Sequence, residues 1–135
     1  EPDSSHVFQG LIRRMSAARD GGQPRFVIWG TGTPRREFMH VDDLADACVF
    51  LAERSTPHSL YNVGTGEDIS IRELAEVVRD LVGYEGELVQ DADKPDGTPR
   101  KTMDCSRLFE LGWRPRIGMM EGFRQTYAWY REHAA

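Results

Sequence analysis

The chain has 135 residues, enough for one ordinary domain with a buried core, and its 39% hydrophobic and 29% charged shares are those of a globular protein folded in water. A net charge of −5 gives no whole-domain attraction to nucleic acid, and no apolar run approaches a membrane span. Cys48 and Cys105 lie far apart without CxxC spacing, which predicts reduced thiols and a cytoplasmic location.

In chain order, Glu1-Pro2-Asp3 opens without methionine and reads as the start of an excised piece. Val7, Leu11, Ile12, Met15 and Ala18 share one face of a helix predicted over about residues 5–18, and Gly21-Gly22 ends it. Phe26-Val27-Ile28-Trp29 reads as a short strand closed by Gly30-Thr31-Gly32-Thr33-Pro34. A brief strand over Glu37-Phe38-Met39 is expected next. Asp42 or Asp43 then caps a helix whose apolar side is Leu44, Ala47, Cys48 and Leu51. Leu60-Tyr61-Asn62-Val63 reads as a strand ending at Gly64-Thr65-Gly66.

Ser70-Ile71-Arg72-Glu73 is a capping box, the clearest helix start in the chain. Leu74, Val77, Val78 and Leu81 follow on one face, and Gly83 ends the helix. Glu87-Leu88-Val89-Gln90 is a strand leading into Lys94-Pro95-Asp96-Gly97-Thr98-Pro99-Arg100-Lys101, where two prolines and a glycine forbid regular structure. A small helix from about Ser106 stops at Gly112. Met119, Phe123, Thr126, Tyr127 and Tyr130 mark a last one. Alternating helices and strands make this an α/β or α+β domain, a single one over residues 1–135.

Several residues carry chemistry, each with a plainer alternative. The 94–101 loop bears three cations and one carboxylate. It suits a diphosphate with its ribose, or it is a solvated turn. Trp29 with Arg35-Arg36 can stack a purine and clamp a phosphate, or be a half-buried indole beside solvated arginines. His6 and Arg14 lie two turns apart on roughly one side of the first helix. His6 alone is also an ordinary helix-start residue.

Gly30-Thr31-Gly32 and Gly64-Thr65-Gly66 lack the third glycine and the acidic residue of a dinucleotide fingerprint and read as turns. His40, Asp42 and Asp43 have the ligand chemistry of a metal site, but capping explains the aspartates more simply. No Tyr-x-x-x-Lys occurs. Trp113, Trp129 and Tyr130 are expected in the core or in packing.

Read together, Asp3–Val7, Leu11–Arg14, Val27–Phe38, His40–Ala45, Asn62–Gly66, Ile71–Ala75 and the 94–101 loop resemble the C-terminal portion of the GDP-L-fucose synthase family. These are NADP-dependent epimerase/reductases of the extended short-chain dehydrogenase/reductase class. The resemblance covers nearly the whole chain. It implies a substrate-binding domain, a fragment of a longer enzyme, without the Rossmann region and its Tyr-x-x-x-Lys set. It also implies His6 as the catalytic acid/base of epimerisation and Arg14, Trp29, Arg36 and Asp96 as contacts to the GDP-sugar.

NADP belongs to the parent enzyme, and none is expected on this chain alone, which is then inactive by itself. Neither nucleic acid nor membrane is an expected partner; self-association or a homodimer is. Gln9-Gly10 stands where the family's Pro-Ala is expected, and glycine there costs roughly 1 kcal/mol against alanine. Two other readings stay open: a freestanding nucleotide-sugar binding module, and a structural or oligomerisation domain without ligand.

Overall fold

A computed structural model describes residues 6–133. Its elements run α1 (Val7–Asp20), β1 (Arg25–Trp29), β2 (Arg35–Glu37), α2 (Val41–Ala52), β3 (Asp68–Ser70), α3 (Ile71–Val82), β4 (Glu87–Asp91), β5 (Arg100–Lys101), α4 (Ser106–Glu110) and α5 (Met119–His133). The mixture is the α/β class that the alternation predicts. Two sheets form, a parallel pair β1-β4 and a short three-stranded sheet of order β3-β2-β5. The chain divides into two compact units, Glu1–Arg35 with Ile69–Arg100, and Arg36–Asp68 with Lys101–Ala135.

The first unit is built on apolar periodicity. Phe8, Leu11, Ile12, Met15 and Ala18 bury one face of α1. Leu74, Ala75, Val78 and Val82 bury one face of α3, which packs against α1. Strand β1 alternates, with Phe26 and Ile28 inward and Arg25, Val27 and Trp29 outward. It pairs with β4 in parallel register, Val27 opposite Val89 and Trp29 opposite Asp91. Helix α3 begins with the capping box Ser70/Glu73 and ends at Gly83, whose φ of 68° is the left-handed conformation that glycine adopts freely. Helix α1 is continuous through Gly10, which is buried. The predicted start near Ser5 lies outside the described residues.

In the second unit Ala47, Leu108 and Trp113 form a core, joined by Met39, Phe50, Leu51, Tyr61, Val63 and Phe109. Phe38 and Phe123 pack edge to face at 5.4 Å between ring centres. Three expectations are corrected here. First, the cap of α2 is His40, whose Nδ1 accepts from the Asp42 N–H at 3.3 Å. Asp42 and Asp43 fall in the first turn, where carboxylates suit the helix dipole. Asp43 is buried, and its two oxygens accept from the Arg116 and Ile117 N–H groups, each at 3.0 Å. These contacts explain the His-Val-Asp-Asp run without a metal.

Second, residues 60–63 are not a strand. Arg107 donates to the Leu60 carbonyl, and the Asn62 amide donates to the Asp104 carbonyl at 3.0 Å. Tyr61 and Val63 meanwhile pack on the core. Side-chain ties thus replace the ladder that a strand needs. Third, Trp129 lies outside the core, exposed and stacked on His133 at 4.4 Å between ring centres, and of the predicted apolar side of α2 only Ala47 is fully buried. The short strand β2 also begins two residues before the expected one, and β5 occupies the end of the proline loop. Among the described residues, no helix is long and apolar enough to cross a membrane.

Candidate functional site

The first unit gathers an aromatic ring and two cations. Trp29 ends β1 on its outward side and is 55% exposed, unusual for so large an apolar surface. The Arg14 guanidinium lies 5.0 Å from the Phe26 ring centre and 5.7 Å from that of Trp29. It also donates to the Val27 carbonyl at 3.0 Å. The Lys94 ammonium stands 5.9 Å from the Trp29 ring centre. All three distances fall within cation–π reach. An exposed indole beside two positive groups offers stacking to a planar base and charge to its phosphates.

Asp96 sits on the turn that follows Trp29. Its Oδ1 accepts from the Thr31 N–H at 2.9 Å and its Oδ2 from the Thr31 hydroxyl at 2.7 Å. A Cβ on Gly30, whose φ is 80°, would collide with that carboxylate, so glycine is required there twice over. The carbonyl of Asp91 accepts from both the Gly30 and the Lys94 N–H, at 2.9 and 3.2 Å. Arg72 braces the same turn, meeting Gln90 at 2.9 Å while its N–H donates to the Gly32 carbonyl at 3.0 Å.

The second Gly-Thr-Gly turn is filled in the same manner. Glu37 accepts from the N–H groups of Thr65 and Gly66, and its other oxygen accepts from Met103 N–H at 2.8 Å. A Cβ on Gly64 would meet that carboxylate and the Cys105 sulfur. Burial, with the charges of Glu37 and Asp104 nearby, pushes the Cys105 thiol above its ordinary 9.0. Both turns therefore have backbone N–H groups already taken up by a carboxylate of the chain itself.

His6 is the N-cap residue of α1 and is exposed. Its carbonyl accepts from the Gly10 N–H at 2.9 Å, but its ring makes no capping bond, in contrast with His40. It stands eight residues before Arg14 on the same helix, a rise of about 12 Å. Arg36 lies half-buried in β2 and belongs to the second unit. The structure thus brings Arg14 and Trp29 together and joins Asp96 to the turn beside them. Sequence reasoning missed Thr31, Gln90 and Arg72 as supports of this turn. For Thr31 a signal was there: a threonine between two glycines offers an N–H and a hydroxyl to one acceptor.

A family model described as the NAD dependent epimerase/dehydratase family matches residues 1–64. The chain is 54% identical over 129 residues to GDP-L-fucose synthase 1 of Arabidopsis thaliana, covering 96% of this chain and 40% of that protein. Among solved structures, the GDP-mannoheptose C4 reductase from Campylobacter jejuni with NADP bound superposes with a TM-score of 0.81 at 34% identity. That match covers 96% of this chain and 46% of the reductase. A GDP-L-fucose synthetase from Naegleria fowleri gives a TM-score of 0.90 over 99% of this chain and 41% of its own, and at 23% identity speaks for the fold alone. The chain therefore spans about 40% of the length of the curated relatives it matches.

Proposed function

We propose that this chain is the substrate-binding part of a GDP-4-keto-6-deoxymannose epimerase/reductase, since the model of the NAD dependent epimerase/dehydratase family matches residues 1–64 and its curated relatives include GDP-L-fucose synthases. It then acts as one GDP-sugar-binding domain within a longer enzyme that makes GDP-L-fucose. Arg14, Trp29 and Asp96 of the first unit, and Arg36 of the second, are each assigned a contact to the GDP-sugar. The observation that carries this reading is the exposed Trp29 ring flanked by the Arg14 and Lys94 cations.

The chemistry assigns one further role. A 4-keto group acidifies the hydrogens on C3 and C5. Inverting either centre means removing a proton from one face and returning one to the other. Imidazole titrates near neutrality and suits one of these tasks on one face, with the group for the opposite face supplied by the rest of the longer enzyme. His6 is the candidate because its ring is exposed and not spent on capping. NADP supplies the hydride in the parent enzyme. Both glycine turns of this chain are filled by its own carboxylates, so no step here runs through the cofactor, and the chain alone is inactive in reduction.

Titration with GDP while following tryptophan emission tests the reading. GDP quenches Trp29, and added salt weakens the effect because an anion is being paired. Arg36→Ala weakens GDP by about 1.5–3 kcal/mol and guanosine far less, since a charge-assisted phosphate contact is lost. Absence of any GDP-dependent change would sink the reading. Equal losses for GDP and guanosine would assign Arg36 to folding.

A further inference from the structure

Asp96 spends both carboxylate oxygens on Thr31, at 2.9 and 2.7 Å. Two residues earlier, Lys94 is anchored by its N–H to the Asp91 carbonyl, which also holds Gly30. Lys94 is thus pinned from both sides to the turn that carries Trp29. Among the described residues its ammonium has no carboxylate partner, and it stands over the indole. We propose that Asp96 is a positioning residue. Its clasp on Thr31 sets Lys94 over Trp29 and makes Lys94 a phosphate-recognising cation beside Arg14. This deepens the GDP-sugar reading and, for the identity of the anion, rests on it.

The physical case is one of preorganisation. An exposed lysine loses considerable side-chain freedom on meeting a phosphate, and a loop fixed in advance lowers that cost. Proline at 95 and 99 stiffens the loop, and the clasp closes it against the β1–β2 turn. The indole face keeps the ammonium 5.9 Å from its ring centre, within cation–π reach and so close to any nucleoside stacked on that ring.

Iodide, an anionic quencher, and neutral acrylamide separate the possibilities. The background is Trp129→Phe, which removes the other exposed indole and leaves Trp29 with the buried Trp113. Lys94→Gln lowers iodide quenching and leaves acrylamide quenching unchanged. Thr31→Val, which changes no charge, lowers iodide quenching in the same way and adds nothing in the Lys94→Gln background. Asp96→Ala discriminates by sign. Loss of a negative charge alone raises iodide quenching, but release of Lys94 lowers it. With GDP, Thr31→Val weakens binding about three- to ten-fold, guanosine less, and the effect vanishes in Lys94→Gln.

Unchanged iodide quenching in Lys94→Gln or Thr31→Val, with circular dichroism intact, overturns the proposal. So does a rise in Asp96→Ala. If the iodide pattern holds but GDP fails to bind the unaltered chain, the cradle stands and its assignment to a nucleoside diphosphate falls.

Discussion

Glu37 ties together two loops of the second unit. It is half-buried and accepts from the N–H groups of Thr65, Gly66 and Met103. Glu37→Gln replaces an acceptor with a donor that faces other donors, and we expect a loss of about 1–3 kcal/mol, read as a lower Tm. An unchanged Tm would show that water replaces the carboxylate at no cost. Cys105 is buried behind Gly64, and Cys48 is exposed on α2. Iodoacetamide at mildly alkaline pH should alkylate Cys48 and spare Cys105 until the chain unfolds. Burial raises the Cys105 value above 9.0, so the folded chain holds that proton more tightly than the unfolded one. Its stabilising contribution is full below about pH 9 and fades as pH climbs through the raised value. Cys105→Ala should flatten that alkaline decline. Rapid labelling of both thiols in the folded chain would contradict the buried placement.

The helices differ in what holds their first turns. Ser70 and Glu73 close a reciprocal capping box on α3, so Ser70→Ala should cost about 1 kcal/mol in chemical denaturation. A cost below a few tenths would mean that packing of Leu74 and Val78 alone sets the start. This element was fully legible in sequence, because cap, periodicity and glycine stop are all local signals. So was β1, whose alternation survives in the structure. Helix α2 was half legible: its extent follows from apolar spacing, but its cap does not. Histidine is not a preferred cap, and Asp43 is drawn away by the distant Arg116 and Ile117 N–H groups. The 60–63 segment shows the opposite failure. Its β-prone residues have strand propensity, but a strand exists only where a partner ladder does.

The candidate site divides along the same line. Trp29 and Arg14 were legible as chemistry, an aromatic and a cation in suitable places. The clasp of Asp96 on Thr31 spans 65 residues, and no spacing rule reaches that far. The resemblance supplied Asp96 as a ligand contact, and only the hydrogen bonds point to a supporting role.

At the scale of the whole molecule, the chain spans about 40% of its curated relatives, so its activity has to be tested in company. In a protein that joins this chain to the nucleotide-binding region of a GDP-L-fucose synthase, His6→Asn should slow epimerisation about 10²–10⁴-fold with GDP affinity nearly intact. Solvent deuterium exchange at C3 and C5 reads this directly. Wild-type exchange at both carbons would remove His6 from catalysis. Exchange, reduction and thermal stability falling together would make it a structural helix-start residue. Val41, Leu44 and Val49 on α2, with Leu60 and Trp129, are exposed. Light scattering of the chain alone should therefore show concentration-dependent self-association. A strict monomer across a wide concentration range would count against it.

The central claim is that this chain recognises the GDP-sugar and not the dinucleotide. Its glycine turns are filled by Asp96 and Glu37, and its exposed indole is flanked by Arg14 and Lys94. Calorimetric titration of the chain with GDP and with NADPH, side by side at two salt concentrations, tests this most directly. The account predicts salt-sensitive GDP binding and no NADPH heat above dilution. Saturable NADPH binding with GDP silent would contradict it.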